Sequence, residues 1–137
     1  MSIALSTTLK ASFGDAVERT REALAAQGFG VLTEIDMKAT LSKKLGAAAG
    51  DDLGDYLILG ACNPPLAHRA VSIDRQIGLL LPCNVVVRTD PDHEGSVVVE
   101  AMNPQLLVEV TGDAALRPVA DEVGAKLQTA IDSLGDS

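Results

Sequence analysis

The chain reads as an α+β domain: a mainly antiparallel sheet with two long helices packed on one face, in the order β-α-β-α-β-α-β-β-α. Three observations carry that reading. A polar turn at 90–95 separates two β-branched runs, so these neighbouring strands form a hairpin. Apolar residues recur at helical spacing in two long stretches, around 13–24 and 116–134. The run at 55–61 is apolar without alternation, which asks for cover on both of its faces. The 137 residues form one domain, 1–137, long enough to bury a core without a disulfide or a metal.

Each element has a local reason. Residues 2–9 are β-branched-rich and read as a first strand. Ser12 caps a helix, with Asp15 as its capping-box partner. Phe13, Val17, Thr20 and Leu24 face the core, and Gly28 ends the helix in a left-handed turn that sets Phe29 against Leu24. Residues 30–35 form the second strand. Asp36 caps a second helix in which Met37, Leu41 and Leu45 repeat every four residues up to Gly46. Residues 47–54 read as a small, flexible, acidic loop. After the strand 55–61, Asn63 caps a short helix with Pro64 at its first position, where a missing N–H does no harm. Residues 79–88 read as a strand interrupted by a bulge or bend at Pro82. Residues 97–102 complete the hairpin. An ambiguous stretch follows, then a long amphipathic helix with Pro118 in its first turn or kinking it.

Composition excludes several function classes. Nineteen acids against eleven bases give a net charge of −8, the wrong sign for a phosphate backbone, so no nucleic-acid partner is expected. Only Phe13, Phe29 and Tyr56 are aromatic, so base stacking is not available either. The first residues lack the basic and apolar regions of a signal peptide, and the longest apolar run, 77–87, is too short to span a membrane. The expected protein is soluble and cytoplasmic, with both cysteines reduced.

Two Cys-Asn pairs, Cys62-Asn63 and Cys83-Asn84, each lie within or at the end of an apolar run. Their matched settings suggest that the two sulfurs meet in one place. With His68 on the helix after Cys62, Cys62 and Cys83 would supply three ligands for a transition metal such as zinc. Cys62 also precedes a helix start, where a thiolate is stabilised, so a thiol enzyme or redox sensor is the rival reading. Plain packing of the cysteines in the core stands beside both. Glu34, Asp36 and Lys38 crowd a strand-to-helix junction and are candidate ligand-binding groups, although Asp36 has work as a cap. Asn63 and Asn84 complete the candidate set. Asn63 has a structural reason as a cap. Asn84 has none, because asparagine is disfavoured inside strands. The functional expectation is a domain binding a small ligand or metal ion near the two Cys-Asn pairs. A structural homodimer module is the remaining alternative.

Three segments in order, 28–38 (GFGVLTEIDMK), 56–68 (YLILGACNPPLAH) and 77–87 (IGLLLPCNVVV), resemble the domain-of-unknown-function 302 family over nearly the whole chain. The matching positions are Glu34, Asp36, Lys38, Gly60, Cys62, Pro64, Pro82 and Cys83. The resemblance implies a compact α+β domain that tends to pair as a homodimer, and it implies no activity. Composition independently points to pairing. The strands 55–61, 79–87 and 97–102 are apolar at nearly every position, and the helices suffice to cover only one face.

Overall fold

The computed structural model describes residues 2–135. Five strands, β1 (Ala4–Lys10), β2 (Gly30–Asp36), β3 (Tyr56–Cys62), β4 (Cys83–Thr89) and β5 (Ser96–Met102), form one sheet in the order β1-β5-β4-β3-β2. Every neighbouring pair is antiparallel. The polar turn at 90–95 does join β4 to β5 as a hairpin.

Helix α1 (Phe13–Ala26) starts where Ser12 accepts a hydrogen bond from the Asp15 N–H at 3.2 Å. It ends in the expected Schellman turn. The Phe29 N–H donates to the Leu24 carbonyl and the Gly28 N–H to the Ala25 carbonyl, each at 3.0 Å, with Gly28 at φ +85°. The C-terminal helix (Arg117–Leu134, numbered α6 below) holds Pro118 in its first turn and buries Val119, Val123, Leu127, Ile131 and Leu134. These two long helices pack on one face of the sheet, over Leu59, Val85, Val87 and Val99, all of them fully buried. Alternation then sends the intervening strand residues to the other, open face. Cross-strand register lines these up in rows: Tyr56, Arg88 and Val98; Ile35, Ile58, Val86 and Glu100; Gly60 and Asn84.

The element order is richer in helix than the sequence reading. Residues 47–53 are not a loop but a helix, α3 (Ala47–Leu53), following α2 (Met37–Leu45). Gly46, at φ +101°, breaks the chain direction, and the three alanines after it favour a new helix over a flexible loop. The short helix α4 (Pro64–Ile73) is present, but Asn63 makes no side-chain cap bond to it. Pro82 does not interrupt a strand. A 3₁₀ helix (Arg75–Leu80), capped by Asp74, occupies the first part of that apolar run, and β4 begins only after a cis Leu81–Pro82 bond. A proline just ahead of the first strand residue costs no ladder bond. The ambiguous stretch folds as α5 (Gln105–Thr111) and a single 3₁₀ turn (Ala114–Leu116). Among the described residues no helix is long and apolar enough to cross a membrane.

Candidate functional site

The two cysteines sit on adjacent strands but out of phase. Register pairs Cys83 with Ala61, not with Cys62. Alternation therefore sends Cys83 the way of Val85 and Val87, into the core, and Cys62 the way of Ile58 and Gly60. Both residues border one apolar cavity of about 40 Å³, together with Phe29, Leu66, Leu107 and Val119. That volume admits water or a guest of a few atoms, not a metabolite. Cys83 is 5% exposed. Burial pushes its thiol up from the ordinary 9.0 to about 11, and the neighbouring Cys62 adds to the rise. At neutral pH the Cys83 sulfur is thus a protonated packing group, not a nucleophile. His68 is exposed on α4. Among the described residues no three His, Cys, Asp or Glu side chains gather so as to hold a metal.

The strand-to-helix junction at Asp36 is occupied by structural work. Asp36 caps α2 by accepting the Ala39 N–H at 2.9 Å. Glu34 pairs with Arg21 of α1, and Lys38 lies 3.7 Å from Asp55. Each group is at the surface and already has a partner. Asn63 is 8% exposed. Its amide donates to the Gln27 carbonyl at 3.3 Å, which ties the end of α1 to the β3–α4 junction. The same contact explains why residue 28 is small. A Cβ there would lie 3.2 Å from the Asn63 Nδ2.

Asn84 differs from the other candidates. It is exposed on the open face of the sheet, and its side chain makes no hydrogen bond among the described residues. It borders a groove of about 350 Å³ whose walls include Ile3, Val86, Met102 and Leu106, with Tyr56 and Glu100 as the other polar contributors. Glu100 accepts a hydrogen bond from Arg88 Nε at 2.8 Å. That bond holds the guanidinium above its usual pKa, so the two charges stay matched. Sequence reasoning missed Tyr56 and Glu100. No hydropathy pattern marks Tyr56, because β3 is apolar without alternation; the cross-strand register puts both residues on the same side as Asn84.

A family model described as "Domain of unknown function DUF302" matches residues 5–134. The chain belongs to the DUF302 family. The fold of this DUF302 domain is also similar to the crystal structure of an uncharacterized conserved DUF302 protein from Bacillus stearothermophilus. The two superpose with a TM-score of 0.86 at 26% identity, covering 98% of this chain and 99% of that one. No curated protein matches the chain.

Proposed function

We propose that this DUF302 domain binds a small, neutral, mainly apolar molecule in the groove around Asn84, and that it works as a homodimer through the open face of its sheet. The observation that carries the first part is Asn84 itself. An asparagine within a strand contributes little to sheet stability, and its amide has no hydrogen-bond partner among the described residues. The groove around it has the usual make-up of a small-molecule site, apolar walls with a few polar groups to fix orientation. The Tyr56 hydroxyl and the Asn84 amide suit a carbonyl or hydroxyl group. Arg88 and Glu100 neutralise each other, so the site favours no net charge on its guest.

Pairing is supported by the one-sided distribution of helices. Ile58, Val86, Val98 and Met102 are only half-buried on the open face, and the exposed Ile35 extends that surface. An apolar surface of this kind is covered by a twofold partner with one self-complementary contact. The groove is tested by titration with the neutral dye N-phenyl-1-naphthylamine, which brightens in apolar surroundings. Asn84→Trp fills the groove from an exposed position and is expected to weaken dye binding about tenfold or more, the loss of roughly one good apolar contact set. Equal affinity in the variant would sink the groove reading.

A further inference from the structure

We infer that the cavity between β3, α4 and α6 is a binding site for one small apolar guest, in the size class of a noble-gas atom, a diatomic gas or a two-carbon hydrocarbon. It lies on the helix side of the sheet, so it is separate from the groove proposed above and does not depend on it.

The space exists because residues around it are short. Ala61 and Ala70 are buried on its wall, with the half-buried Ala67 beside them. Protein interiors are packed to the density of organic crystals, and voids larger than a water molecule are few. This one measures about 40 Å³, roughly three times what a single water needs. One or two added methyl groups at Ala70 would fill it, and a filled core is the more stable one. The chain nonetheless carries alanine at 61, 67 and 70.

The chemistry of the wall favours an apolar guest over water. A buried water needs about two to four polar partners. Among the described residues, Asn63 is the one wall side chain with a strong hydrogen-bonding group, and its Nδ2 is committed to the Gln27 carbonyl. The thiols of Cys62 and Cys83 are weak donors and acceptors. Burial keeps the Cys83 thiol protonated at neutral pH, so that sulfur adds no charge to the wall. The other wall side chains are hydrocarbon, and the Phe29 ring and the two sulfurs are the most polarisable parts. Such a wall attracts by dispersion, which is largest for a guest touched on all sides.

The guest also has a way in. Asn63 and Leu66 border this cavity and, equally, a surface groove of about 540 Å³ between the end of α1, the start of α4 and α6. A single 3.3 Å hydrogen bond holds the Asn63 side chain, longer than the usual N–H···O distance. Swinging that amide aside costs one weak bond and gives a guest its route from the groove.

Xenon is the probe. The methyl resonances of Leu66, Val119 and Val123, all on the cavity wall, are followed by carbon–proton correlation NMR over a series of xenon pressures, in reducing buffer. In the wild type they should move together and saturate, while the exposed Val110 shows no saturation. Ala70→Val puts two methyl groups into the space and should weaken xenon binding about tenfold or more. Val123→Ala enlarges the space from the α6 side and should strengthen binding about threefold or more, read on Leu66 and Val119. Circular dichroism checks that each variant is folded. Should Ala70→Val not fold, Val123→Ala carries the test alone. A wild type without saturable shifts overturns the inference. So does a folded Ala70→Val that binds xenon as the wild type does, or a Val123→Ala that gains nothing. Asn84→Trp fills the groove on the other face and should leave the xenon response unchanged. A response lost in that variant would place the xenon in the groove and overturn the cavity site.

Discussion

The buried Cys83 thiol should make this protein unfold more readily in mild alkali. Its folded pKa is raised to about 11 against an ordinary 9.0, chiefly by burial. Below pH 9 the thiol is protonated in both states and contributes no pH dependence. Above pH 9 the unfolded chain releases the proton while the folded chain holds it, so stability falls as pH rises, until the folded pKa is passed near 11. One pKa unit corresponds to about 1.4 kcal/mol, so a wild type taken from pH 8 to pH 10.5 loses about 2 kcal/mol through this group alone. Comparison with Cys83→Ala isolates this one contribution. At pH 8 the alanine variant should be the less stable by about 1–2 kcal/mol, from the sulfur's lost packing beside a cavity that already exists. At pH 10.5 that gap should nearly close, because the variant has no buried thiol to ionise. The assay is urea unfolding followed by far-ultraviolet circular dichroism at both pH values, under reducing conditions. A gap of equal size at pH 8 and pH 10.5 would refute the reasoning and would place the Cys83 sulfur in contact with solvent.

Three further substitutions test the fold by urea unfolding at neutral pH. Leu59→Ala removes a fully buried side chain from the centre of β3 and should cost about 2–5 kcal/mol, the range for such cavities. Gly60→Ala would place a Cβ 2.0 Å from Thr33 Oγ1 and 2.8 Å from Pro82 Cγ. It should cost about 1–3 kcal/mol through overpacking, and Thr33→Ala in the same chain should recover part of that loss. Ser12→Ala removes the N-cap of α1 and should cost about 1 kcal/mol, an effect that Ser12→Asp would largely spare.

What the sequence revealed and what it hid divide along the range of the forces involved. The α1 boundaries were legible because a cap, an apolar stripe and a Schellman glycine are local chemistry, complete within Ser12 to Phe29. The β4–β5 hairpin was legible for the same reason. Helix α3 was hidden because its small residues carry no apolar stripe, and the reading gave glycine and aspartate more weight than the three alanines. The strand interrupted at Pro82 was hidden because a 3₁₀ helix and a buried strand are both continuous apolar runs before tertiary packing separates them. At the site, Asp36 was recognisable as a cap. The Arg21–Glu34 and Lys38–Asp55 pairs depend on side chains brought together only by folding.

The two Cys-Asn pairs show how a single step of register decides which side chain enters the core. Their matched sequence contexts suggested a shared site, and the end of β3 and the start of β4 do lie side by side. The antiparallel register opposes Cys83 to Ala61, one residue short of Cys62. Side chains alternate faces with a period of two, so an offset of one inverts every role. In the first pair the cysteine lies on the open-face phase of β3, and the asparagine is buried against the end of α1. In the second the cysteine is buried in the core and the asparagine faces the groove. Had Cys62 opposed Cys83, the two thiols would have pointed to the same side of the sheet. With the observed register, the polar groups that border the groove are an amide, a phenol and the carboxylate of an ion pair. Those are the groups that the proposed binding of a neutral molecule would use to orient its guest.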